Sequence, residues 1–269
     1  MRYIKYLSEK SAELFIKDLT LRYTPLNDFN DPFEGNIIVG LLDDTVIEEY
    51  TVSIDLSNHN VIYDKYLVTI DKIKSKSNIK DILHKLCDIQ GIACLCLSAC
   101  EIATNPLMWA HYSKDHKGIA ITFDPNHPYF KEVDKVYYTQ DRAVLNEKIF
   151  IENKNGLPIN TFFAKDKCWS YENEVRLTKL QSKLICSKNG NNDNILKDSI
   201  PIEAIKEILI GCRATKSFKE KISSFCKNHS INCFSLKTND DSYSLTIDTS
   251  EKPISSTISW ELMTEMLKY

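Results

Sequence analysis

The run Gly91-Ile92-Ala93-Cys94-Leu95-Cys96-Leu97-Ser98 is an apolar stretch that begins with a glycine and ends with a serine. Its length suits a strand buried on both faces, because a strand with one face in solvent alternates apolar and polar residues. We therefore predict that this segment lies centrally in a β-sheet.

Other segments have the short apolar or alternating pattern that is typical of strands. They are residues 2–6, 21–24, 118–124, 133–139, 172–180, 205–210 and 231–236. The last two flank a predicted helix from about residue 215 to 228, which is a βαβ-like arrangement. Together these patterns predict an α+β fold with a mixed β-sheet core and helical insertions.

Further helices are predicted from capping residues and helical spacing. Ser8 or Ser11 is a candidate N-cap near the start of the chain, and Asn105-Pro106 begins a short helix because proline is tolerated at the first helical position. Helical spacing also marks residues 43–90, most clearly Ile79, Ile82, Leu83, Leu86 and Ile89 after the candidate N-cap Asn78, and residues 257–268. No internal repeat divides the chain, so we predict a single domain over residues 1–269.

The composition excludes some classes of protein. The 269 residues include 34 Lys and Arg against 37 Asp and Glu, and the formal charge of -3 gives no global attraction to nucleic acid or anionic lipid. The N-terminus lacks the pattern of a secretory signal, and no apolar stretch approaches membrane-spanning length, so we predict a cytoplasmic protein without a membrane partner. Most of the nine cysteines are predicted to be small core residues, rather than parts of a disulfide framework or a zinc site.

The first candidate site segment contains Trp109, His111 and Tyr112 on the helix after Asn105-Pro106, followed by His116. His111 offers a titrating imidazole and Tyr112 a stacking phenol. The alternative is that Trp109 and Tyr112, three residues apart, form a core face with His111 exposed beside them. His116 precedes Gly118 on a predicted turn and is interpreted as a surface residue.

The second candidate segment runs from Trp169 through Tyr171 to Arg176. On a strand, Glu172, Glu174 and Arg176 share one face, and two carboxylates at that spacing push their pKa values apart. Arg176 would hold one carboxylate charged or bind a phosphate. The alternative is a solvent-facing charged edge or a structural Glu–Arg pair.

Two shorter segments add candidate binding residues. Asn30 and Asp31, near Glu34, offer oxygen atoms to a cation or hydroxyl, although turns use Asn and Asp internally as readily. Tyr3, Lys5 and Tyr6 mix aromatic and basic groups that would line a cleft or remain at its edge. The chain contains no HExxH, Walker, GxGxxG or GxSxG motif, which disfavours the common metalloprotease, nucleotide-hydrolysing, dinucleotide-binding and serine-hydrolase designs.

These motifs together resemble a bacterial family known as domain of unknown function 2971. The resemblance is carried by Tyr3 to Tyr6, Phe29 to Glu34, Cys96-Leu97-Ser98, Met108 to Tyr112 with His116 and Gly118, and Trp169 to Arg176. Ile4 is inserted in the first motif, and Leu97 stands where the family tends to have Phe. The resemblance implies a family-like core over residues 1–211 with a βαβ-like extension over 205–269, and it implies no activity.

The order of the motifs is also similar to that of ADP-ribosyltransferases, which carry a basic residue, a serine and a Glu-x-Glu on successive strands. The corresponding residues are Arg2, Lys5 or Arg22, then Ser98, then Glu172 and Glu174. This similarity implies an NAD-using transferase with a defence or toxin role. Glu174 would stabilise an oxocarbenium-like ribose, Glu172 would orient the acceptor, Tyr112 or Tyr171 would stack on nicotinamide, and the basic residue would bind the diphosphate.

Two other functions are consistent with the same residues. One is a non-catalytic module that binds a nucleotide or a protein partner through the aromatic side chains. The other is a metal-dependent nuclease that uses Asp31, Glu34, Glu172 and Glu174. The sequence leaves the acceptor and the oligomeric state open.

Overall fold

The computed structural model describes residues 1–34, 91–142, 163–188 and 193–248, residues 190 and 250, and the short segments 38–40, 49–50, 60–61, 68–69, 144–146 and 157–158. The helix predicted over 257–268 and residues 78–90 of the helical segment predicted over 43–90 lie outside the described residues. The described parts of that segment, residues 49–50, 60–61 and 68–69, are short strands, so the helical prediction is wrong there. Within the described residues, no helix is both long and apolar enough to cross a membrane.

The strands, in chain order, are β1 (Arg2–Leu7), β2 (Thr20–Pro25), β3 (Ile38–Gly40), β4 (Glu49–Tyr50), β5 (Asn60–Val61), β6 (Val68–Thr69), β7 (Ile92–Cys100), β8 (Ile119–Phe123), β9 (Val133–Lys135), β10 (Tyr137–Thr139), β11 (Val144–Asn146), β12 (Leu157–Pro158), β13 (Ala164–Asp166), β14 (Glu174–Leu180), β15 (Ile185–Lys188), β16 (Asn194–Ser199), β17 (Ile205–Ile210), β18 (Asn232–Thr238) and β19 (Leu245–Ile247). The α-helices are α1 (Glu9–Asp18), α2 (Pro106–Tyr112) and α3 (Lys216–Asn228). The 3-10 helices are Leu26–Asp28, Pro128–Phe130, Lys167–Glu172, Gln181–Lys183 and Ile202–Ala204.

The chain divides into two compact units. Unit 1 contains the described residues of Met1–Leu21, Leu97–Lys131 and Ser199–Tyr269, and unit 2 contains those of Arg22–Cys96 and Glu132–Asp198. The predicted central strand, β7, passes from unit 2 into unit 1 along its length. The single-domain organisation stays a prediction.

In unit 1 the strands follow the order β7, β1, β8, β17, β18, β19. β17 and β18 are parallel and α3 connects them, which confirms the predicted βαβ arrangement. The other neighbouring pairs in this order are antiparallel. All five residues of β8 are buried, as expected for a strand with neighbours on both sides and a covered sheet.

Local capping explains where the helices of unit 1 begin. Ser8 caps α1 by accepting from the N–H of Ser11, and Asn105 caps α2 by accepting from the N–H of Leu107 at 3.0 Å. Pro106 lies in the first turn of α2, so the predicted helix start is confirmed.

In unit 2 the strands follow the order β15, β16, β2, β7, and β14 pairs with both β7 and β9. Short two-stranded pairs join β10 to β13, β11 to β3, β12 to β5 and β4 to β6. The strand predicted over 133–139 is two strands, because the N–H of Val136 bonds to β14 whereas that of Tyr137 bonds to Phe163. The mixture of parallel and antiparallel pairs with helices confirms the predicted α+β class with a mixed sheet.

Candidate functional site

The 3-10 helix Lys167–Glu172 carries the two aromatic residues of the second candidate segment. The carboxylate of Asp166 caps its start by accepting from the N–H of Cys168 at 2.8 Å. Asn173 ends it in the left-handed region at φ 44°, a conformation that asparagine tolerates better than most residues. Both ends of this short helix are therefore fixed.

The strand prediction for 172–180 was wrong at its first two residues. β14 begins at Glu174, and Glu172 belongs to the 3-10 helix on the other side of the left-handed Asn173. The period of two therefore relates Glu174 to Arg176 but does not include Glu172. Glu172 joins the group of buried charged side chains described below from the 3-10 helix rather than from β14.

Arg176 is the centre of a buried network of charges. Its Nε donates to Oε1 of Glu174 at 2.8 Å, and its Nη2 donates to Oε2 of Glu174 at 3.2 Å and to Oε1 of Glu34. The guanidinium also lies over the rings of Phe29 and Phe163, at 4.5 and 5.1 Å from their centroids. The Arg176 side chain is 1% exposed, and its Nη1 is buried without a hydrogen-bond partner among the described residues.

Lys165 on β13 is the second cation of the network. Its Nζ lies 2.5 Å from Oε2 of Glu172, 3.1 Å from Oε2 of Glu174 and 3.6 Å from Oε1 of Glu34. The Lys165 side chain is 6% exposed. Three carboxylates thus surround one ammonium, and two of them also bond to Arg176. We call these five residues the charge network.

The network separates the pKa values of two of its carboxyl groups. Burial alone would raise the pKa of Glu174, but the charges and hydrogen bonds of Arg176, together with Lys165, lower it to about 2. Burial raises the pKa of Glu34, and the attraction of Arg176 and Lys165 only partly offsets this effect. Burial would lower the pKa of Lys165, but the carboxylates around it raise that pKa. Glu34 and Glu174 are therefore two neighbouring carboxyl groups whose pKa values are shifted in opposite directions.

Two partly exposed aromatic side chains lie beside the charge network. Trp169 and Tyr171 are both half-buried, and their ring centroids are 6.2 Å apart at an interplanar angle of 37°. The ammonium of Lys165 lies over the Trp169 ring, 5.0 Å from its centroid. Tyr138 is joined to the network through its hydroxyl, which accepts from the N–H of Glu174 at 2.7 Å. The charge network therefore lies against the Trp169 ring and helps to hold the aromatic pair in place.

Unit 2 thus brings together five of the predicted site residues: Trp169, Tyr171, Glu172, Glu174 and Arg176. The alternative of a solvent-facing charged edge is wrong, because Glu172, Glu174 and Arg176 are buried. The alternative of a structural Glu–Arg pair describes Glu174 and Arg176 directly. Asn30 is exposed, whereas Asp31 is buried and its Oδ1 accepts from the N–H of Phe33 at 2.9 Å, which is the internal turn role.

The remaining predicted site residues lie in unit 1. Trp109 is fully buried, its Nε1 donates to the carbonyl of Ala103 at 2.6 Å, and its ring meets that of Tyr6 edge to face at 5.4 Å. His111 is exposed and Tyr112 half-buried, so the core-face alternative describes Trp109 and His111. The others are distributed as follows: Tyr3 and Lys5 half-buried on β1, and Ser98 buried on β7.

The candidate basic residues of the early strands differ in their surroundings. Arg2 forms an ion pair with Glu207 within unit 1, while Arg22 is exposed on β2. His116, interpreted as a surface residue, is half-buried with φ 66°, and burial lowers its pKa.

No group of three or more His, Cys, Asp and Glu side chains in the described ranges is arranged to hold a metal ion. Glu34, Glu172 and Glu174, three of the four residues of the nuclease alternative, instead converge on the ammonium of Lys165. A cationic side chain in that position supplies the charge that a metal would otherwise provide.

Sequence reasoning missed Lys165, and it grouped Glu34 with Glu172 and Glu174 only as metal ligands of the nuclease alternative. Lys165 stands in a polar segment, Ala164-Lys165-Asp166-Lys167, which reads as an ordinary surface stretch. The one available signal was an excess of carboxylates next to Arg176, since a buried group of acids requires further cations.

Comparison with known proteins identifies a family for part of the chain. A family model described as "Protein of unknown function (DUF2971)" matches residues 108–177. This match confirms the DUF2971 resemblance over these residues. The DUF2971 segment begins in α2, ends in β14 and contains Lys165 and both aromatic clusters. No curated protein and no solved structure matches the chain. The motifs before residue 108 and the ADP-ribosyltransferase similarity stay predictions.

Proposed function

We propose that unit 2 binds a small ligand with a planar ring, such as a nucleotide base, and that Trp169 and Tyr171 form the contact surface. The proposal depends chiefly on one observation: two half-buried rings lie side by side on a short helix that is fixed at both ends. Aromatic side chains that are ordered before binding lose little entropy when a ligand stacks on them.

The charge network supports this function because it holds the 3-10 helix Lys167–Glu172 in place. Glu172, the last residue of the helix, bonds to Lys165, and the same ammonium contacts the Trp169 ring. The network carboxylates are paired with cations and almost excluded from solvent. Such groups are better suited to holding a surface in place than to entering a reaction.

The proposal is tested by titrating the full chain with AMP and with NAD. The observable is the indole N–H signal of Trp169 in nitrogen-15-labelled protein, assigned by its loss in W169F. We expect a saturable shift of that signal and heat of binding by calorimetry. W169A and Y171A should each weaken binding by about tenfold, from a stacking energy of about 1–3 kcal/mol.

Y137A is the matched control, because Tyr137 is another exposed tyrosine of the same unit, at 54%. It should bind as the wild type does. If neither ligand shifts the Trp169 signal, or if Y137A weakens binding as much as Y171A, this surface is not the binding site.

A second candidate is the ADP-ribosyl transfer implied by the sequence resemblance, with NAD as substrate. The observation in its favour is that Glu174 is held ionised, with a pKa of about 2, as a group that stabilises an oxocarbenium-like state requires. Against it, Arg176 and Lys165 already neutralise that carboxylate, and both would repel a developing positive charge.

Incubation with NAD followed by mass spectrometry distinguishes the two candidates. Transfer predicts released nicotinamide that disappears in E174Q and persists in the control E203Q, since Glu203 is exposed and lies in unit 1. If NAD binds and no product forms, the non-catalytic function is the one supported. If E174Q still forms product, Glu174 does not take part in the reaction.

A further inference from the structure

Among the contacts described above, Lys165 is the only residue of the charge network that contacts both the carboxylates and the ring of Trp169. Its Nζ lies 2.5 Å from Glu172 and 5.0 Å from the centroid of the Trp169 ring. The side chain has little solvent contact, so water screens the ammonium weakly. Three nearby carboxylates keep the ammonium in this position.

This contact uses one face of the indole. The π electrons of tryptophan attract a cation to the ring face, and the ammonium of Lys165 occupies such a position. Trp169 is half-buried, so part of its side chain remains accessible to a ligand. A second cation stacked there would compete for the same π electrons and would meet the field of Lys165 through the ring.

The neighbouring carboxylates weaken that field but do not make the contact. Glu174 is shared with Arg176, whose Nε lies 2.8 Å from it, and Glu34 also bonds to Arg176. Glu172 is the carboxylate closest to the ammonium. The charge that lies over the Trp169 ring is nevertheless that of Lys165.

The geometry points to a preference of this surface for neutral planar rings, of the purine-base type, over cationic rings such as a pyridinium. Lys165 is the residue that sets the preference. This inference rests on the proposed binding function and specifies the class of ligand. It also bears on NAD, because the nicotinamide ring of NAD is cationic and would be the less favoured partner of Trp169.

The test compares adenosine with 1-methyladenosine, whose ring is cationic at neutral pH, in titrations of the full chain followed by the Trp169 indole signal. From the usual strength of a cation–π contact we expect about fivefold tighter binding of adenosine. K165R keeps the cation and should keep the ratio. K165M/E172Q removes one charge of each sign and should reduce the ratio to about twofold or less.

Each outcome decides the inference. Equal binding of the two nucleosides by the wild type, tighter binding of 1-methyladenosine, or an unchanged ratio in K165M/E172Q overturns it while the binding function stands. Binding of neither nucleoside also overturns it, and the AMP titration then shows whether the binding function survives. The wild-type ratio needs no variant, so a double variant that fails to fold does not prevent the test.

Discussion

Replacement of Arg176 by methionine removes the cation that two buried carboxylates share. Glu174 loses the bonds at 2.8 and 3.2 Å, Glu34 loses its bond to Nη2, and the ring contacts with Phe29 and Phe163 lose their positive charge. Lys165 remains, but it then faces three carboxylates alone. The network changes from two cations and three acids to one cation and three acids.

The expected loss of stability is large. Breaking a buried ion pair by removing one partner costs about 3–5 kcal/mol, because the remaining charge is left uncompensated. The loss of two ring contacts adds about 1 kcal/mol, partly replaced by the apolar methionine. We expect R176M to lower the free energy of unfolding by about 4 kcal/mol, measured by urea denaturation at pH 7 with circular dichroism.

Two further variants make the reasoning testable. R176M/E174Q removes one charge of each sign and should be more stable than R176M by about 1–3 kcal/mol, which is the coupling expected of direct partners. R22M, at an exposed arginine of the same unit, should change stability by less than about 0.5 kcal/mol. An R176M protein within about 1 kcal/mol of the wild type, or a double variant no more stable than R176M, would refute the account of the network.

The other predictions concern pH, backbone packing and capping. On folding, the pKa of the Glu174 carboxyl group falls from an ordinary 4.5 to about 2. Glu174 therefore contributes stability above about pH 4.5 that is lost as the pH falls towards 2, and the difference corresponds to about 3 kcal/mol. Acid unfolding of E174Q should lack this component. G118A should destabilise unit 1 by about 3 kcal/mol in urea unfolding, because the added methyl group meets the backbone carbonyl of β1, whereas G190A, with open space around it, should be neutral. T215A should cost about 1 kcal/mol, because the hydroxyl that caps α3 at 3.3 Å is lost, whereas S224A, at an exposed serine within α3, should change little. A destabilised G190A, or a T215A indistinguishable from S224A, would contradict the packing and capping explanations.

Local patterns were sufficient for the α-helices and for the longer strands of unit 1, whereas they did not indicate β13, β15 or β16. The apolar run at 91–98 became β7, Asn105-Pro106 began α2, and the segments around α3 became a parallel pair. The strand predicted over 133–139 was not one strand, because its two halves bond to different partners. Local composition determines the tendency of a segment to form a strand, but the rest of the fold determines which strand it pairs with.

The sequence by itself determined that Glu174 and Arg176 share a strand face, because the period of two is a property of the extended backbone. Only the tertiary structure decided that Glu34, 142 positions away from Arg176, and Lys165 complete the same group. The tertiary structure also places Glu172 outside the strand, with its carboxylate bound to the ammonium of Lys165. The physical reason is that buried charges must find counter-charges wherever packing brings them, and sequence spacing carries no record of contacts between distant segments.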